Sequence, residues 1–491
     1  PGRGECRFRM ERKPACRLDC YSPYLQNQKS HSIHDLLHFA EINLVKKIMP
    51  TSNSTPPSFL ALTPLFLFLS LFLGAGLFFT LQGDAMGFYR LHAPVAIIPA
   101  IALALLLGRK FKKKPMDTFL EGMGSTGIMQ MSLIFLLAGA FANVTKQIGG
   151  VDAVVYLGIS TLPAEFLLPG LFLISGLIAL SMGTSMGTIA AVVPIAVGLA
   201  ETAGLNLPLT VGSVVGGAMF GDNLSVISDT TIAATRTQGA NMRDKFKENL
   251  WLALPAAGIM LFVLFVLSSG TAQAEVSSAN WLLAIPYLVV LVMAVSGVNV
   301  LTVLALGIIL AGGMGVSAGT DYSFIQFYED IWTGFQNLFE ITLLSILIGG
   351  LAALMRAQGG LAWIVQMIIQ LSGKSKSRRS GELSIASLGA LMDIFTANNT
   401  VAILIGGPVA KELAERNNIS ASRSASLLDI FSCVMQGVIP YGAQILLAAS
   451  IAQLSPLVIA GNVYYCWILA IVAIIALLVG WPKAKVRQQA H

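Results

Sequence analysis

Charge is scarce in this sequence. Of its 491 residues only 11% are Asp, Glu, Lys or Arg, against about 25% in a soluble domain. That deficit excludes an ordinary water-soluble fold and places the chain in a membrane, with lipid as its first partner. Histidine is scarcer still. His31, His34, His38, His92 and His491 all lie outside the depths of the apolar runs. A proton crossing this protein must therefore ride on a carboxylate rather than an imidazole. The five cysteines offer neither metal-ligand spacing nor a disulfide framework: Cys6, Cys16 and Cys20 fall in a polar N-terminus, Cys433 and Cys466 in apolar segments. There is no zinc motif, no GxSxG elbow and no cofactor signature. An enzyme is not expected, nor a cofactor, nor a nucleic-acid partner.

Long hydrophobic runs are what the chain has in plenty. Residues 59–81, 128–146, 250–269, 297–314, 333–355 and 460–480 are apolar over membrane-spanning lengths. They do not alternate, which excludes a β-barrel. The fold class is an all-α polytopic membrane protein. Residues 1–48 differ, being polar and basic. Met49, followed by PTSNSTPPS, reads as a natural start, so 1–48 is either a cytoplasmic tail or translated sequence that is not native. No cleavable signal peptide is recognisable in that stretch.

Basic residues orient the chain. Beyond residue 48, twenty of the 22 Lys and Arg fall in 109–114, 236–247, 374–379, 411–423 and the C-terminal KAKVR, with Arg356; only Arg90 and Lys146 stand apart. With every cluster cytoplasmic, the two elements 166–200 and 209–235 must together cross an odd number of times. The first, interrupted by SMGTSMGT, suits a re-entrant hairpin. The second, interrupted by GDNLSVISDTT, suits a broken spanning helix.

The second half repeats the first at an offset of about 212 residues. QIGGVDAVV (147–155) is echoed by AQGGLAWIV (357–365), and SMGTIAAVVP (185–194) by NNTVAILIGGP (398–408). SVISD (225–229) falls opposite GVIPY (437–441). Equivalent loops carry opposite charge character, basic in one half and devoid of Lys and Arg in the other, which is the mark of an inverted-topology repeat. The expected organisation is a tail (1–58), a first transmembrane half with repeat 1 (59–249), central scaffold helices (250–314), a second half with repeat 2 (315–482) and a cytoplasmic C-terminal tail (483–491). This amounts to about ten spanning helices plus two re-entrant hairpins.

Four interrupted segments can carry chemistry: SMGTSMGT (181–188), GDNLSVISDTT (221–231), MDIFTANNT (392–400) and LLDIFSCVMQGVIPYG (427–442). Unwound backbone at membrane depth must be satisfied by protein, water or ligand. Asp222, Asp229, Asp393 and Asp429 lie in or beside these breaks. Each carboxylate costs about 2.5–3.5 kcal/mol at a helix centre on the insertion scale. A lone buried carboxylate relieves that cost by taking a proton or a cation. A group that holds either but not both is the simplest exchanger of Na⁺ for H⁺. Bland alternatives exist. SMGTSMGT also reads as a packing seam, Asp393 and Asp429 as helix caps or interface residues. Asp244 and Glu248 read as solvated loop residues, Glu201 as a rim residue, and Glu340 as a secondary candidate.

MGTSMGTIAAVVPIA followed by GGAMFGDNLSVISDTTIAATRTQG resembles the NhaC family of Na⁺/H⁺ antiporters, within the broader ion-transporter superfamily. The resemblance covers most of the chain from about residue 59. It implies two inverted repeats, re-entrant hairpins, frequent homodimers and residence in the cell (inner) membrane, multi-pass, with both termini cytoplasmic. It places Asp222, Ser225, Ser228, Asp229, Thr230 and Thr231 in the functional motif; the expected cation- and proton-binding set is these with Asn223, and Na⁺ is expected at Asp222 and Asp229. Thr184, Ser185 and Thr188, flanked by Gly183 and Gly187, belong to the first hairpin. Asp393, Thr396, Asn398, Asn399, Thr400 and Asp429 are the repeat-2 candidates. Where the family's commoner form has His after the first aspartate and Pro after the first serine, this chain has Asn223 and Val226, so that position has no group that titrates. The expected activity is secondary active Na⁺(Li⁺)/H⁺ antiport by alternating access. The alternative is Na⁺-coupled transport or exchange of an amino acid or small carboxylate.

Overall fold

The structure is a computed structural model. It describes residues 56–481 apart from 84–86, 88–89, 110–113, 269–279, 318–321 and 373–376. The expectations for 1–48 and for the tail 483–491 lie outside the described residues, as do most of the basic cluster 109–114 and part of 374–379.

The described residues are helical throughout, with no strand among them. This follows from the composition, because backbone N–H and C=O groups in lipid must be satisfied within their own segment. The first half contains α1 (Thr63–Leu81), α2 (Ala93–Ala96), α3 (Ile98–Gly108), α4 (Pro115–Met123), α5 (Thr126–Gln147) and α6 (Gly150–Thr161). Next come α7 (Leu167–Met182), α8 (Ser185–Ala203), α9 (Leu207–Leu224), α10 (Asp229–Gln238) and α11 (Met242–Ser268). The second half contains α12 (Ile285–Val295), α13 (Val300–Ser317), α14 (Phe324–Asn337), α15 (Phe339–Ala357), α16 (Gly360–Ser372) and α17 (Arg378–Thr396). It closes with α18 (Asn399–Arg416), α19 (Ala421–Gln436), α20 (Ala443–Ala452), α21 (Pro456–Asn462) and α22 (Tyr464–Val479).

Among the described residues six helices are long and apolar enough to cross a membrane, and the bent pair α20–α21 raises that to seven. Four of the apolar windows map onto such helices nearly as read: α1, α5, α11 and α13. Two shift. The run 333–355 straddles the junction at Leu338, so the span is Phe339–Ala357. The run 460–480 contains a break at Val463 between α21 and α22.

Chain reversals repeat between the halves. Left-handed backbone occurs at Gly83 and Gly297, Gly149 and Gly359, Gly183 and Ala397, Gly204 and Asn418, and Gly239 and Gln453. Each pair is about 212 residues apart. Among the described residues only Gly480 has positive φ without a counterpart. Ten turns at matched positions are a stronger sign of duplication than the weak identity of the two sequences.

Helix α9 runs parallel to α7. Gly217 packs on Phe172 and Gly221 on Gly176, and the Ser225 hydroxyl donates to the Leu180 carbonyl at 2.9 Å. The intervening α8 must carry the chain back, so α7–α8 is a hairpin, turned at Gly183. In the same way Gly389 packs on Leu428, and the Tyr441 hydroxyl donates to the Ile394 carbonyl at 2.7 Å. That makes α17–α18 the second hairpin, turned at Ala397. The helices α9–α10 and α19–α20 are the broken pair, interrupted at residues 225–228 and 437–442. The second break is two residues longer, so Asp229 is matched by Ala443 rather than by Tyr441.

The halves interlock. α10 of the first packs on α18 of the second, and α20 of the second packs on α8 of the first. The short arm α4 packs on α15, while its counterpart α14 packs on α5. Glycines make these crossings close: a Cβ on Gly139 would strike the Gly334 carbonyl, and one on Gly122 would strike the Gly349 carbonyl and Ala353. Small residues at helix crossings are the usual means of close approach in a bilayer.

Candidate functional site

The break after α9 is built from hydroxyls. Ser225 is extended (φ −68°, ψ 133°). The Thr231 hydroxyl donates to its carbonyl at 2.7 Å. Ser228 is the N-cap of α10, but its hydroxyl accepts from no backbone N–H of that helix and donates instead to Asp222 Oδ1, at 2.7 Å. It also lies 2.8 Å from the Thr230 hydroxyl. The second oxygen, Asp222 Oδ2, faces the Cys433 thiol at 3.9 Å. Asp222, Asn223, Ser225, Ser228, Thr230 and Thr231 are all buried. Asp222 forms no ion pair with a lysine or arginine among the described residues.

Asp229 does not join this group. It begins α10 with its side chain exposed at the protein surface. The two aspartates of the motif are therefore divided, one buried and one outside. The reason is local: the α10 N-terminus turns Thr230 and Thr231 inward, and that leaves position 229 on the outer face.

The hairpins meet the breaks at their turns. Gly183 abuts Ile227 of the first break. Thr184 caps α8 with extended backbone, and its carbonyl accepts from the Thr188 hydroxyl at 3.1 Å. Ser185 Oγ lies 3.2 Å from the Gln444 amide of α20. At the second hairpin, Asn398 Oδ1 caps the Val401 N–H at 3.0 Å. The Asn399 amide reaches the Cys433 sulfur at 3.8 Å, and its Oδ1 accepts from the Thr400 N–H at 3.0 Å. Cys433 thus links Asn399 of one hairpin to Asp222 of the opposite break. Thr396 is spent on backbone, donating to the Met392 carbonyl at 2.8 Å.

Asp393 is fully buried. The Gln436 amide is best assigned with its nitrogen toward this carboxylate, donating at 2.9 and 3.1 Å, while its oxygen accepts from the Ala443 N–H at 3.3 Å. No ion pair to Asp393 occurs among the described residues. Asp222 and Asp393 are therefore two buried carboxylates held by neutral donors alone.

Asp429 is different: its partner comes from the basic loop. Lys245, from the 236–247 cluster, is 1% exposed and pairs with Asp429 Oδ2 at 2.6 Å. Its ammonium also donates to the Thr231 hydroxyl at 2.6 Å. Asn249 donates to the same Asp429 oxygen at 2.7 Å and to the Asn223 carbonyl at 2.6 Å. Asp429 is neither a cap nor an interface residue, and its partner is not the nearby Arg423. Glu248 is not solvated either. It lies 3.5 Å from the buried Arg423, which also reaches Glu382 at 3.5 Å. Asp244 is exposed, as read, beside Lys247.

Lys245 and Asn249 are the site residues that the motif reading missed. A signal was available. Lys245, Asn249, Leu252 and Ala256 recur at the spacing of one helix face, and that face is buried. Glu340 and Glu201 lie away from this cluster, lining cavities of about 320 and 360 Å³ respectively. Glu340 accepts from the Ala93 N–H and bonds His92 at 2.9 Å. Among the described residues no three His, Cys, Asp or Glu side chains form a metal-binding group.

The profile described as the Na⁺/H⁺ antiporter family matches residues 58–270 and 266–481. The chain is 26% identical over 430 residues to the Na⁺/H⁺ antiporter NhaC of Bacillus subtilis, covering 80% of this chain and 92% of that protein. It is 31% identical over 190 residues to the malate-2H⁺/Na⁺-lactate antiporter of the same organism, covering 37% and 39%. It is 22% identical over 392 residues to the arginine/ornithine antiporter ArcD of Halobacterium salinarum, covering 72% and 80%.

Proposed function

Because this chain belongs to the Na⁺/H⁺ antiporter family, and is a multi-pass membrane protein by its apolar helices, we propose that it exchanges Na⁺ or Li⁺ for H⁺ across the cell membrane, with Asp222 as the exchanging carboxylate. The observation that carries this reading is the set of partners around Asp222: a hydroxyl and a thiol, no ion-paired base, and full burial at a helix break. A carboxylate so placed is stable only with a proton or a cation beside it. The two ligands then exclude each other, which is the coupling an antiporter needs.

Ser228 and Thr230 supply hydroxyl oxygens to the cation, and the carbonyls at the C-terminal end of α9 supply more. Asp393, held by Gln436, is a second carboxylate able to take the same part. The site residues are buried in this structure. The hairpins and broken helices therefore move against α4, α5, α14 and α15 to open it alternately. Both termini and the basic clusters are assigned to the cytoplasm.

The test is reconstitution in vesicles that carry a pH gradient and a trapped pH dye. Addition of Na⁺ alone should collapse the gradient. A gradient that holds until an organic solute is supplied would remove this reading in favour of the second. That second reading, exchange of an amino acid or small carboxylate, draws on the names of two of the relatives. In that case the α8 and α18 N-termini would hold the solute's carboxylate.

A further inference from the structure

The first two turns of α11 carry Arg243, Asp244 and Lys247 on their exposed side. Lys245 alone among these charges turns inward. Burying an ion pair is weak as a source of stability, since a well-packed apolar pair of similar volume commonly serves as well or better. The surroundings of the Lys245 ammonium point to another role.

Those surroundings are rich in acceptors. Asp429 Oδ2 and the Thr231 hydroxyl lie at 2.6 Å, and Thr231 is itself tied to the Ser225 carbonyl in the break. Asn249, bridging Asp429 to the Asn223 carbonyl, closes the group. Two further oxygens of these residues, Asp429 Oδ1 and Asn249 Oδ1, are buried and take no hydrogen bond from the protein. Spare buried acceptors are costly, and a shell of carboxylate, amide, hydroxyl and carbonyl oxygens with one charge to neutralise is what a hard cation requires. The same helix break serves Asp222 through Ser228.

We propose that the Lys245 ammonium occupies a second cation position in the transport core. Asp429 is neutralised by the chain itself and carries no cargo. The protein thus binds one Na⁺ fewer than its buried carboxylates would admit. This rests on the reading of Na⁺ as the transported ion, but the count of bound ions tests it separately.

The experiment counts radioactive sodium bound per chain by equilibrium dialysis of the purified full-length protein at alkaline pH, where protons compete least. Lys245→Met removes the charge and keeps the apolar stem, so bound sodium should rise by one ion per chain. Lys245→Arg should leave the count unchanged. The double variant Lys245→Met, Asp429→Asn should return it to the wild-type value. An unchanged count in Lys245→Met overturns the proposal. So does a double variant that folds but binds one ion fewer than wild type, because Asp429 would then hold cargo. Should Lys245→Met fail to fold, the double variant decides the matter alone. A wild type that binds no sodium would remove the exchange reading, yet Lys245→Met should still go from none to one.

Discussion

Asp222 and Asp229 look equivalent in GDNLSVISDTT, and the structure makes them opposites. The predictions separate them. Asp222→Asn cannot take a proton and also loses a charge-assisted interaction worth roughly 1.5–3 kcal/mol, so Na⁺-driven proton movement at this site should be lost. Asp229→Asn should retain most of the wild-type response. Dye-loaded vesicles titrated with Na⁺ measure both, and the reverse order would overturn the assignment of Asp222. Ala397 offers a test of stability instead. It turns the second hairpin with φ 49°, a conformation that costs a residue with a Cβ roughly 1–2 kcal/mol. Ala397→Gly relieves that strain at an entropic cost of roughly 0.5–1 kcal/mol. The expected outcome is a net gain of up to about 1 kcal/mol, seen as a higher melting temperature in detergent.

At the scale of elements, the crossing of α5 and α14 is closed by Gly139 and Gly334. Gly139→Val places two methyl groups against backbone that cannot move aside, and overpacking of this kind costs about 1–3 kcal/mol or more. Gly127, with open space around it, is the control, and Gly127→Ala should change stability by less than about 0.5 kcal/mol. Thermal unfolding of the two variants in detergent compares them. The hairpins and broken helices were legible because their interruptions are chemical, with Gly, Asn and hydroxyl residues set within apolar runs. The arm exchange was not. α4 and α14 are short and carry no mark of which neighbour they choose. Lys245 was hidden by its company, since Arg243 and Lys247 beside it are solvated and only the inward stripe of α11 tells them apart.

For the whole molecule, the duplicated turns carry the architecture while the two halves have diverged in charge. Repeat 1 supplies Asp222 and repeat 2 supplies Asp393 and Asp429, at positions that are not equivalent. Orientation can be tested directly. In a background with the other cysteines replaced, Glu201→Cys should react with an impermeant maleimide applied to intact cells, and Arg243→Cys only after permeabilisation. Reaction in the opposite order would invert the assigned topology.

The exchanged arms also set a schedule for synthesis. The seam at Gly122 cannot close until residue 349 has emerged from the ribosome, and the seam at Gly139 waits for residue 334. The first half is thus inserted before either of its crossings can form. A chain that stops near residue 268 should be recognised and degraded as unfinished. The same fragment co-expressed with the remainder should survive.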